Sequence, residues 1–257
     1  MTELTLVAID WSGRSDDSGK TTWMAVIEDR VFARLENGRS RPELRDELIR
    51  LRGLSGRLVV GIDFAFGFPR WYAQANGWSC GRDIWRAAAQ HGEEWLSAPA
   101  APFWGRTTKR PQLPGDPLRR TEREAGGSPR SVFQIGGAGA VGTGSIRGMA
   151  VLHKLAGAGF AVWPFEPAAD ATIIEIYPRL LTGKVVKSSA QACLRRLDQQ
   201  YPRGELPDPF RGRAAATEDA FDAAVSALEM SRACDELCNL PDGDDVDHIE
   251  GRIWSPA

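Results

Sequence analysis

The chain has 257 residues, 42% of them hydrophobic and 26% charged, and a formal net charge of −2. That is the length and balance of one large globular domain, or of one domain carrying a sizeable insertion. It excludes a global basic field, so any binding of nucleic acid has to come from a local patch. Residues 1–6 lack the basic start and apolar core of a signal peptide. No apolar run approaches the ~20 residues of a membrane span. Cys80, Cys193, Cys234 and Cys238 form neither a CxxC pair nor a zinc-type Cys/His spacing. A reducing cytoplasm is the expected setting.

In chain order, residues 4–10 read as a buried strand ending at an acid, Asp10, and residues 11–20 as turn chemistry rich in Ser, Gly and Asp. Residues 21–28 and 30–35 predict two strands of an antiparallel hairpin with a tight connection at Asp29. Leu44, Leu48 and Leu51 recur at helical spacing over 42–52, with Pro42 near the first turn. Leu58 to Asp63 is a continuous apolar run, as in a strand covered on both faces. Residues 70–130 hold most of the tryptophans and many prolines, with helical pieces around 81–96 and loop-like composition from Gly105 to Arg130. This region reads as an insertion or cap at about 70–144, with too little patterned apolar sequence for a core of its own. Further on, the pattern predicts helices over 145–158, 188–200 and 217–238 and strands over 160–163 and 172–177. Thr217 is placed to cap the last helix.

Four acidic runs stand out. Asp10 ends the first strand and leads into Ser12-Gly13, where flexible amides beside a carboxylate suit a cation and a phosphate. Asp63 ends the central strand. If those strands are neighbours, two like charges sit side by side and repel unless a cation joins them. Asp219 and Asp222 are i,i+3 in the first turns of the last helix, with Glu218 beside them. First-turn acids also serve the helix dipole. The small apolar run at 223–228 packs that helix close to a sheet, which brings its first turn to the strand ends. Glu175 lies inside a β-rich run and shares a face with Ile173 and Tyr177. It reads as a ligand, a general base or a partner for Arg179.

Two basic or glycine-rich stretches are candidates for substrate binding. The run 136–145, containing Gly137 and Gly139, precedes a helix and offers a phosphate cradle or a hinge, without the Gly-Lys-Ser/Thr ending of a Walker loop. Between 106 and 130, seven cations face three acids. Arg106, Lys109, Arg110, Arg119 and Arg120, near Phe103 and Trp104, are placed to track a nucleic-acid backbone or to form a solvated, internally paired loop. His91, His153 and His248 stand in no triad context.

The ordered set of runs at 8–13, 60–69, 174–179, 218–224 and 249–254 resembles the domain-of-unknown-function 429 family, described as predicted nucleases with an RNase H-like fold. The resemblance spans nearly the whole chain. It implies a single α/β domain over 1–257, an RNase H-like mixed sheet of five or slightly more strands with helices on both faces and a helical or loop insertion. It is nearest the Holliday-junction resolvase branch, whose acids hold two divalent metals. The matching positions are Asp10, Asp63, Asp219 and Asp222. The second is Asp where that branch usually carries Glu, which shortens the reach to a metal, and the insertion between Pro69 and Ser145 has no counterpart there.

The activity so implied is phosphodiester hydrolysis of nucleic acid, DNA or RNA, by two Mg²⁺ or Mn²⁺ ions about 3.5–4 Å apart. Asp10 would be shared, Asp63 and Asp219 or Asp222 would hold one ion each, and Glu175 would orient water. Two alternatives belong to other classes. One is a nucleotide-binding phosphotransferase of the actin-like kinase type, using the 136–145 loop. The other is a non-catalytic nucleic-acid-binding protein.

Overall fold

The computed structural model describes residues 2–16, 18–105, 109–126 and 129–256. The chain opens with strand β1 (Thr2–Asp10), a short helix α1 (Ser18–Thr21), and a hairpin of β2 (Trp23–Glu28) and β3 (Val31–Asn37). Asp29 and Arg30 both take left-handed backbone angles, φ 47° and 68°. That is the two-residue turn whose twist matches the flanking strands. The Asp29 carboxylate accepts from Leu4 N at 3.0 Å, tying the turn to β1.

Helix α2 (Arg41–Leu54) follows. Its start is set by a capping box between Ser40 and Glu43 with Pro42 in the first turn, and it buries Leu44, Leu48 and Leu51. β4 (Ser55–Ile62) then leads into α3 (Arg70–Ala75), α4 (Gly81–Ser97), α5 (Arg120–Glu124) and α6 (Gly142–Gly157). The last part comprises β5 (Ala161–Val162), β6 (Ala171–Ile176), α7 (Pro178–Thr182), α8 (Ala190–Gln200), α9 (Asp208–Ala214), α10 (Glu218–Arg232), α11 (Cys234–Leu237), α12 (Asp247–Glu250) and β7 (Ile253–Trp254).

Among the described residues the strands form one seven-stranded mixed sheet in the order β3-β2-β1-β4-β6-β5, with β7 also paired to β6. β2 runs antiparallel to β1 and β3, whereas β1, β4 and β6 are mutually parallel. The architecture is the α/β one expected, with two strands more than five. Register fixes the important edge. Ile9 pairs with Ile62, and Ile62 with Glu175, so Asp10 and Asp63 each stand one residue past the same row. Carboxyl ends of parallel strands are where open α/β sheets bind ligands.

Alternation along the strands sorts the core into two layers. Val7, Ile9, Val60, Ile62 and Ile173 face α2 and α6. Leu6, Ala8, Val59, Ile174 and Ile176 face α10. The aromatics of 63–133 join the first layer: Phe68 stacks on Phe133 at 5.6 Å and meets Phe103 edge-on, and Trp95 stacks on Phe103. The segment therefore shares the sheet's core.

Several boundaries differ from expectation. The helix expected over 217–238 is broken at Ala233 (φ −96°, ψ 23°) into α10 and α11, and no residue type there announces the break. The helix expected from Ser145 begins three residues earlier, at Gly142. The 105–130 stretch contains the short helix α5. Among the described residues no helix is long and apolar enough to cross a membrane.

Candidate active site

The loop that leaves β1 is fixed from three sides. Trp11 Nε1 donates to Gly144 O at 2.9 Å, Arg147 Nη1 to Gly13 O at 2.6 Å, and Arg41 Nη2 to Ser12 O at 3.0 Å and to Arg14 O. Gly13 lies so close to the start of α6 that a Cβ there would stand 2.6 Å from Gly144 N. The loop that leaves β4 is fixed similarly: Asp63 N donates to Ile9 O at 3.0 Å, and Ala65 N to the Ser145 hydroxyl at 3.1 Å. Two strand ends and the first turn of α6 are thereby locked into one unit that carries Asp10 and Asp63.

Helix α10 brings the other two acids. Thr217 caps it by accepting from Ala220 N, and its small face (Ala220, Ala223, Ala224, Ala227) is buried against the sheet. Asp219 and Asp222 thus arrive beside Asp10. Burial, followed by the charges of Asp63, Asp219 and Asp222, raises the proton affinity of Asp10 well above the usual carboxylate range. Burial, Asp222 and Glu175 push Asp63 up to about 7. Asp219 is raised by burial and by Glu218, and Asp222 by burial against the opposing pull of Lys187. Glu218 itself is exposed.

Lys187 is a member of the site that sequence reasoning missed. Its ammonium lies 2.5 and 2.7 Å from the two Asp222 oxygens, and its charge also lowers the proton affinity of Asp10 and Asp63. It comes from the irregular 183–189 segment, where a lysine reads as an ordinary solvated residue. Among the described residues no three acid, histidine or cysteine side chains are gathered closely enough to hold a metal ion by themselves. The donor set is nonetheless all carboxylate, the hard oxygen chemistry of Mg²⁺ and Mn²⁺. Mg²⁺ commonly takes only one or two carboxylates and completes its shell with water and substrate phosphate. Asp10, Asp63, Asp219 and Asp222 therefore fit a divalent cation that a substrate helps to hold.

Glu175 has a different role from the ones expected. It shares the Ile173 face of β6, opposite α10, and both of its oxygens are taken. Arg119 Nη2 and Nη1 donate to Oε1 and Oε2 at 2.5 and 2.8 Å, and Phe66 N donates to Oε2 at 3.0 Å. Its partner is Arg119, not Arg179, and three of its roughly four acceptor positions are already taken.

Arg119 needs the same correction as a substrate contact. It is fully buried, bonded also to Glu122 and to Glu250 O. Burial alone would lower its guanidinium, but Glu122 and Glu175 outweigh that and hold it above its ordinary value. Arg120 is bound to Asp244 and Asp247, and its N–H and that of Arg70 reach the buried Glu250 carboxylate. The basic loop thus anchors the insertion to β6 and the C-terminal 244–252 segment. Lys109 and Arg110 are exposed, Arg110 over the Trp104 ring at 5.4 Å. Arg106 lies outside the described residues.

A cleft of about 520 Å³ opens beside Asp63, between the Trp11–Arg14 loop and residues 140–144. The glycine-rich stretch contributes Ala140, Val141, Thr143 and Gly144 to its wall, whereas Gly137 and Gly139 are set back. Those two glycines have φ 91° and 70°, a left-handed turn that other residues resist, and Arg130 packs against Gly139. They shape the loop instead of lining the cleft. Comparison with protein-family models, curated proteins and solved structures finds no match to this chain.

Proposed function

We propose that this chain is a divalent-metal-dependent nuclease, hydrolysing phosphodiester bonds of nucleic acid at an RNase H-like acidic site, as the resemblance to the domain-of-unknown-function 429 family implies. One observation carries this reading. Four aspartates from three separate parts of the chain are each harder to ionise than normal, and Lys187 is a counter-charge to Asp10, Asp63 and Asp222. A fold does not gather like charges without a return, since each costs stability until a cation or a proton offsets it.

Asp10, Asp63, Asp219 and Asp222 would hold Mg²⁺ or Mn²⁺. When bound, such an ion neutralises charge on a phosphate and makes its water more acidic. The chain's own part is positioning. Arg41, Arg147 and Trp11 fix the loop that follows Asp10, and Ser145 fixes the one after Asp63. Lys187 holds Asp222 in place and brings a positive charge next to the reacting phosphate. The test is cleavage of labelled DNA and RNA strands with Mn²⁺ or Mg²⁺ by wild type and Asp10→Asn. Metal-dependent cleavage by wild type alone supports the reading, and equal cleavage by both defeats it.

A further inference from the structure

We propose that the cleft beside Asp63 is a binding site for one unstacked nucleotide, a nucleoside monophosphate unit. The proposal rests on the nuclease reading only for its choice of a nucleotide over other anions that carry a flat ring. At about 520 Å³ the cleft falls in the size range that buries a small molecule. Much of its lining is apolar or aromatic: Val141 and Tyr177 are accessible, with the buried Trp11, Phe64 and Ile176 behind them. Tyr177 is half-buried, and its hydroxyl meets no partner among the described residues. A partly exposed ring such as that of Tyr177 takes a base whatever its identity, because every base has a π-face.

The rim carries positive charge. Arg130 is exposed and makes no ion pair among the described residues, and the Arg14 side chain is 59% exposed, its ion pair a 4.0 Å contact to the still more exposed Asp16. Thr143 and Gly144, in the first turn of α6, line the same cleft, and their N–H groups meet no acceptor among the described residues. The ring, its phosphate and the carboxylate of Asp63 thus have adjoining places.

Part of the basic loop is unavailable to a long duplex track, Lys109 and Arg110 being exposed cations that remain. Arg119, Arg120 and Arg123, the cations that would continue such a path, are bound to Glu175, Asp244 and Asp116 respectively. What remains is a slot for one residue of a strand, or for a free mononucleotide.

The test is calorimetric and thermal-shift titration in EDTA with adenosine 5′-monophosphate, adenosine and inorganic phosphate, on wild type, Val141→Trp and Arg130→Ala. Val141 is exposed at the start of α6, so a tryptophan there fills the cleft. The expected result is that the monophosphate binds wild type at least tenfold more tightly than either fragment and does not bind Val141→Trp. Arg130→Ala, which keeps the cleft open, should bind it about tenfold more weakly, the loss expected of a charged hydrogen bond. Equal binding by wild type and Val141→Trp, or binding no tighter than phosphate, overturns the proposal. If Val141→Trp does not fold, the Arg130→Ala comparison decides.

Competition separates the two sources. Displacement of the monophosphate by a 5′-phosphorylated single strand but not by a blunt duplex identifies a strand end, and no displacement by either identifies a free nucleotide. The titrations need no metal, so monophosphate binding without any cleavage defeats only the nuclease reading. Cleavage without monophosphate binding defeats only this one.

Discussion

The ammonium of Lys187 lies 2.5 Å from Asp222 Oδ1, and its charge also acts on Asp10 and Asp63. Both partners are largely shielded, with side chains 18% and 15% exposed. Removing the ammonium leaves Asp222 partly buried and unpaired among like charges. Lys187→Met should therefore destabilise the metal-free protein by about 1–3 kcal/mol, below the full cost of breaking a wholly buried pair because some solvent remains. Millimolar Mn²⁺ should restore most of the loss. Denaturant unfolding with and without Mn²⁺ checks this, and a loss that Mn²⁺ leaves untouched counts against a cation site here.

The acids set a pH dependence with a definite sign. Asp63 titrates near 7 in the folded chain, above its ordinary range, so the folded state binds the proton more tightly than the unfolded state. The stability this group contributes is present below about pH 4 and is lost as pH rises through about 7. Asp10, shifted in the same direction, adds to the trend. Glu47 and Asp83 are held low, near 2, by partners such as Arg50 and the Ser79 amide, and act in the opposite sense only in acid. In EDTA, Tm measured between pH 4.5 and 7.5 should fall more steeply for wild type than for Asp63→Asn. Parallel curves contradict the assignment.

Arg119 and Glu175 form the buried pair that joins the insertion to β6. Arg119→Met leaves Glu175 and Glu122 charged and unpaired, a loss of about 3–5 kcal/mol. The double variant Arg119→Met with Glu175→Gln should be less destabilised than the sum of the two single changes. Urea unfolding of the four proteins measures the coupling. Additive losses show that the pair has no special role.

Gly13→Ala tests the packing under Asp10. The new methyl would stand 2.6 Å from Gly144 N and 2.7 Å from its Cα, and both are backbone atoms. Overpacking of this kind costs about 1–3 kcal/mol. It should also lower any metal-dependent activity, because the loop that follows Asp10 has to move. Gly53→Ala, where a Cβ meets nothing within 4 Å, is the control. A fully active, fully stable Gly13→Ala removes the packing argument.

How much of this was legible in the sequence depends on whether the signal was local. The strand of residues 4–10, the hairpin around Asp29 and the helix over 42–52 follow from apolar runs, turn chemistry and helical spacing, and they appear nearly where expected. The aspartates were visible because a charge at the end of an apolar run is unusual. Their common edge then followed from strand order. The partner of Glu175 was not visible. Its face was, since it alternates with Ile173, but Arg119 is 56 residues earlier in a loop with no periodic pattern. Arg179, four positions away, was the nearer guess and is exposed. Lys187 was hidden for the same reason: only the tertiary fold turns a loop lysine into the counter-ion of Asp222. The 106–130 cations read as a surface patch because three of their acid partners, Glu175, Asp244 and Asp247, lie far outside that window.

The central claim is that the four aspartates are kept for a cation. Asp10→Asn probes it most directly, because it separates function from folding in a single pair of measurements. The account predicts that the variant loses all Mn²⁺-dependent cleavage of labelled nucleic acid, while its metal-free Tm equals or exceeds that of wild type because one repelling charge is gone. Undiminished cleavage by Asp10→Asn, or a metal-free Tm several degrees below wild type, would contradict it.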